Sequence, residues 1–146
     1  MREGIYLEIV RRLTGGVDPL VKHVDLWNRN VEFIEKETPW ERPAVFVEFG
    51  PQEWERVKGG REYRCSPLVR LHVVTDSLPT SSKDGELDAA LSARLEMSKR
   101  IHAALAGMAG NGWGRFDLME SHTNHDHEEI VEDIEVYGYV GVRTLE

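Results

Sequence analysis

The chain has 146 residues, of which 40% are hydrophobic and 30% charged, and its 26 acidic against 18 basic side chains leave a formal net charge of −8. Those values describe one ordinary globular domain, long enough for a sizeable core. They argue against gripping nucleic acid over a broad surface, because phosphate binding is mainly the work of Lys and Arg.

No run approaches the roughly 18 apolar residues of a membrane span. The opening MREGIYLEIVRRL has neither the apolar core nor the small-residue cleavage site of a signal peptide, so a cytoplasmic location is expected. Within it, Ile5, Leu7, Ile9, Val10 and Leu13 alternate with charged residues at helical spacing. This predicts a short amphipathic helix over 4–13 that Thr14, Gly15 and Gly16 end.

Residues 21–28 carry a loose alternation, and 31–37 fit a strand or a short helix equally. A loop follows at Thr38, Pro39, Trp40 and Pro43. The apolar run Ala44–Phe49, bounded by prolines and Gly50, predicts a central strand buried on both sides. Residues 52–61, with Gly59-Gly60, are expected to form a surface loop.

The cleanest period-2 pattern runs over 63–76, YRCSPLVRLHVVTD. It places Tyr63, Cys65, Pro67, Val69, Leu71 and Val73 on one face and Arg64, Ser66, Arg70, His72 and Asp76 on the other. Cys65, the only cysteine, is expected as a core thiol, which rules out an internal disulfide. After a polar, turn-rich stretch at 78–85, Leu87, Leu91, Leu95, Ile101, Leu105 and Met108 recur at helical spacing. The principal helix is therefore expected over about 86–108, laid across the long strand. RFDLMES and IVEDIEVYGYVGVR then predict a C-terminal hairpin around a polar bend, with Ile130, Ile134, Val136, Val140 and Val142 on one face. Leu145 and Glu146 match the scar an expression tag leaves and carry no weight in this reading. The expected architecture is α+β: a mainly antiparallel sheet of four to five strands under one principal helix, plus a short N-terminal helix.

Chemistry has few footholds. His122, His125 and His127, with Asp126, Glu128 and Glu129, could supply a divalent-metal site, and hence a small metal-dependent enzyme. They fall, however, in the most polar, turn-like stretch of the chain, where a solvated hairpin tip is the simpler account. His72 and His102 could meet if the principal helix packs over the long strand's polar face. The paired glycines match no phosphate or dinucleotide fingerprint, and no nucleophile-base motif is present, so no enzyme activity and no cofactor are expected. Trp27, Trp40, Trp54 and Trp113 all lie in or beside loops. Tryptophan combines large apolar area with one polar handle, so the four together point to an oligomer or docking surface.

The segment from Trp27 to Phe49, with PAVFVEF as its core, followed by RLHVVTD, one principal helix and a hairpin, resembles the tail terminator and tail completion (head-tail joining) proteins of tailed bacteriophages and prophages. The resemblance covers most of the chain in element order and contains no catalytic signature. It implies a structural protein that assembles into a ring, commonly a hexamer, in the bacterial host's cytoplasm and then belongs to the virion tail. Its partners would be further copies, the tail tube protein and the head connector protein. DNA would pass through the lumen without specific binding, and no membrane is involved. By the same analogy, loops 50–62 and 77–86 would carry subunit or tube contacts. An acidic adaptor domain that forms no ring is the remaining alternative.

Overall fold

The computed structural model describes residues 1–27, 41–57, 59–76, 84–124 and 130–145. In chain order they form α1 (Arg2–Thr14), β1 (His23–Leu26), β2 (Ala44–Phe49), β3 (Glu55–Arg56), β4 (Glu62–Cys65), β5 (Leu68–Asp76), α2 (Asp84–Leu105), β6 (Trp113–Asn124) and β7 (Ile130–Thr144). The α+β class is as expected, with seven strands in one sheet among the described residues and every pairing antiparallel except β1 with β2.

The strand count exceeds the expectation because two predicted units are subdivided. Pro67 has no N–H to donate, so the 63–76 stretch is interrupted at Ser66-Pro67. The register on β7 nevertheless continues across the break, with Cys65 opposite Gly141 and Leu68 opposite Gly138. Backbone bonding is even kept there in one direction, since the Tyr139 N–H donates to the Pro67 carbonyl at 3.3 Å. In the same way the expected surface loop at 52–61 contains β3, which pairs Glu55 with Arg64 and Arg56 with Tyr63.

β7 unites the sheet. One of its edges carries β5 and then β4, and the other carries β6. Its inner face supplies Tyr137 and Tyr139 to the main core, opposite in parity to the Ile130, Ile134, Val136, Val140 set expected from alternation. The bulky aromatic rings, rather than the β-branched residues, meet the helices: Phe116 of β6 stacks on Tyr137 with centroids 5.0 Å apart. Burying each such side chain contributes on the order of 1.5–3 kcal/mol. Helix α1 buries one stripe, Ile5, Ile9 and Leu13, while Leu7 stays exposed. Helix α2 contributes Ile101 and Leu105, and Met108 follows it into the core. Leu95, expected on the buried face, is 62% exposed. The side chains of Leu87 and Leu91 lie outside the described ones.

The outer face has a core of its own. Ala44, Phe46, Val74 and Ile130 are fully or almost fully buried there, with Trp27 packed against them. This is why the run AVFVEF is apolar on both faces: Val45 and Val47 serve the inner core, and Ala44 and Phe46 the outer one.

Candidate functional site

The outer core ends in a polar cluster. His72, on the outer face of β5, is 4% exposed and lies between two carboxylates: Nδ1 is 2.5 Å from Glu132 Oε2, and Nε2 is 2.9 Å from Glu48 Oε1. Glu132, only 1% exposed, also accepts from the Asn124 side-chain amide at 2.7 Å. A neutral imidazole has one N–H. Both ring contacts are therefore hydrogen bonds at once only when the ring is doubly protonated or one carboxyl keeps its proton. Trp27 covers this cluster, its indole parallel to the imidazole within 4° and 3.7 Å away.

His72 and His102, which could have met had α2 packed over the face of β5 that carries His72, sit on opposite faces of the sheet. His102, on α2, holds Asp117 of β6 at 2.8 Å, and this hydrogen bond lowers the Asp117 carboxyl below its ordinary range. On that inner side lies a second buried carboxylate, Glu135, which accepts from the hydroxyls of Ser98 and Ser121.

His122 lies on β6 opposite Ile134, with its side chain 46% exposed and Nδ1 3.8 Å from Glu120. His125 and His127 fall outside the described residues, and among those described no group of three or more ligating side chains is placed to hold a metal. Cys65 is a buried free thiol, as expected, and burial pushes its pKa up. No described helix is long and apolar enough to cross a membrane.

The four tryptophans separate into different roles. Trp113 opens β6, is 6% exposed and packs edge-on against Phe116, so its ring belongs to the core. Trp27 caps the outer cluster. Trp54 is half-buried, with the Arg143 guanidinium 4.5 Å above its ring. Trp40 lies outside the described residues, as do 77–83 of the candidate contact loop 77–86 and the ambiguous segment 31–37.

No protein-family model matches the chain, and no curated protein matches it. The fold, however, has a solved counterpart. The chain is similar to one in the structure "Virion of native gene transfer agent (GTA) particle", at a TM-score of 0.51 and 12% identity, over 92% of each chain. At that identity the likeness is one of fold, and it runs through almost the whole of both chains.

Sequence reasoning missed the Glu48–His72–Glu132 cluster. Its three members lie on three strands far apart in the chain and share no spacing that a sequence pattern could reveal. The usable signal was Val74, an apolar residue in the same parity as Arg70, His72 and Asp76, which marks that face of the strand as covered.

Proposed function

We propose that the protein is a structural component of a phage or phage-like virion, of the tail-terminator kind. In this reading copies associate into a ring, hexameric by analogy, that caps the tail tube and joins it to the head connector. The observation that carries it is the fold likeness to a virion chain over 92% of both partners, which leaves no large part of either chain to a different architecture. The order of elements that resembles tail terminators in the sequence points the same way. Physical chemistry is compatible: a surface with net charge −8 would let a polyanion pass without holding it, and β1 and β6, each paired on one side only among the described residues, offer strand edges for subunit contact. The work is done by shape and self-association, with no covalent step.

Light scattering coupled to size exclusion, followed by negative-stain microscopy, tests this. Closed rings with a central opening are expected, alone or on purified tail tubes. Particles that stay single subunits under both conditions would refute it.

A further inference from the structure

An open recess of about 750 Å3 lies on the sheet's outer face. Three arginines line it, Arg64 on β4, Arg70 on β5 and Arg115 on β6. Two of them are held there at some expense. Arg70 is half-buried, yet Glu48, its opposite residue in register on β2, gives its carboxylate to His72. Arg70 thus has no ion pair among the described residues. Arg115 sits in a bulge: both it and Phe116 oppose Tyr139, since Gly114 pairs with Val140 and Asp117 with Gly138. Its φ is 54°, a left-handed conformation unusual for a residue with a side chain. That conformation lets Phe116 enter the core while Arg115 lines the recess. Strain of this sort persists where the surroundings fix it, and it clusters at functional positions.

The remaining lining narrows the choice of occupant. Glu53 and Glu55 face the same space, and Leu68, Pro67, Pro51 and Val140 give it an apolar floor. Two carboxylates would repel a phosphate backbone, whereas a protein segment can present both signs and apolar area. We infer that this recess receives a carboxylate-bearing segment of a second copy of the same chain, making a head-to-tail subunit contact. Charge complementarity supports that occupant. The recess holds three cations against two anions, while the chain as a whole carries eight more negative than positive charges, so the rest of each copy is a source of acidic partners. A recess that fits a different surface of the next copy is heterologous, the kind of contact that closes into rings. The inference rests on the self-association proposed above and names the surface responsible.

Sedimentation velocity of the wild type and of the R70E/R115E variant, from about 50 mM to 1 M NaCl, tests it, with circular dichroism to confirm folding. Salt is expected to weaken wild-type association, because it screens the charge contacts. The folded variant is expected to dissociate at protein concentrations at least about tenfold higher than those at which the wild type does. In equal mixture it should stop wild-type assemblies at short oligomers, since its inserting surface is intact. If R70E/R115E misfolds, R70Q/R115G gives the same readout with a smaller perturbation. Undiminished association of a folded variant would overturn this inference and leave the ring standing, whereas a wild type that stays monomeric both throughout this series and on purified tail tubes would remove both. Saturable binding of a 30-base-pair DNA duplex, lost in the variant, would assign the recess to nucleic acid and overturn the inference too.

Discussion

The indole of Trp27 lies flat against the imidazole of His72, 3.7 Å away, and so closes the outer core over a histidine already held by two carboxylates. Removing the cap should expose both the apolar set and the buried charge. Trp27→Ala is expected to cost about 2–4 kcal/mol in equilibrium urea unfolding, as large-to-small core changes do. A loss below about 0.5 kcal/mol would mean that the stack contributes nothing to stability.

The cluster beneath should behave as a unit. His72→Ala leaves Glu132, 1% exposed, without its imidazole, and breaking a buried charge pair costs on the order of 3–5 kcal/mol. Adding Glu132→Gln removes the carboxylate that faced the imidazole, so the double variant should be more stable than the sum of the two single losses allows. Strict additivity in the double-mutant cycle would show that the two side chains are energetically independent.

Glu8 on α1 provides a weak acid-dependent contribution. Hydrogen bonds from Arg11 and Arg12 pull its carboxyl from an ordinary 4.5 down to about 2. Because the folded state depresses this pKa, the stabilisation is fully present above about pH 4.5 and is lost as pH falls toward about 2. The site is solvent-exposed, so the magnitude is only about 0.3–0.5 kcal/mol. The stability difference between wild type and Glu8→Gln, followed by thermal melts, should shrink over that window.

Gly110 marks the packing of Trp113. A Cβ there would lie 2.5 Å from the indole Nε1 and 2.6 Å from Cε2, and the ring, 6% exposed, has little room to retreat. Gly110→Ala should therefore cost about 1–3 kcal/mol, the usual range for overpacking, and lower Tm. An unchanged Tm would place the indole elsewhere.

Arg115 allows fold and association to be separated. Its φ of 54° suits glycine, so Arg115→Gly should leave unfolding free energy equal or raise it by up to about 1 kcal/mol, while Arg115→Val should lower it by about 1–3 kcal/mol. Association should weaken in both variants. Stability that follows association instead would show that the bulge serves the fold alone.

How much of this was legible beforehand depended on whether a pattern was local. The stripe of α1, the double-sided run Ala44–Phe49 and the inward alternation of Cys65, Val69, Leu71 and Val73 were readable, because period and composition encode them directly. The parity of β7 was not. Its valines and isoleucines alternate convincingly, yet the helices select Tyr137 and Tyr139, and only the placement of Phe116 decides that choice. Leu95 fails for the same reason: helical spacing identifies a stripe but not how far the sheet extends beneath it. The recess was out of reach, since three arginines on three strands share no interval, and a left-handed residue at Arg115 has no compositional mark when it is not glycine.

The double occupancy of β7 also bears on biosynthesis. Since β5 and β6 each require this one strand as a neighbour, the ribosome must release residues 130–144 before either has its β7 neighbour. Until then the nascent β4–β5 ribbon offers a bare margin to other growing chains, the kind of unpaired edge that favours aggregation. Closure by the molecule's own late segment therefore has to outpace encounters between neighbouring chains.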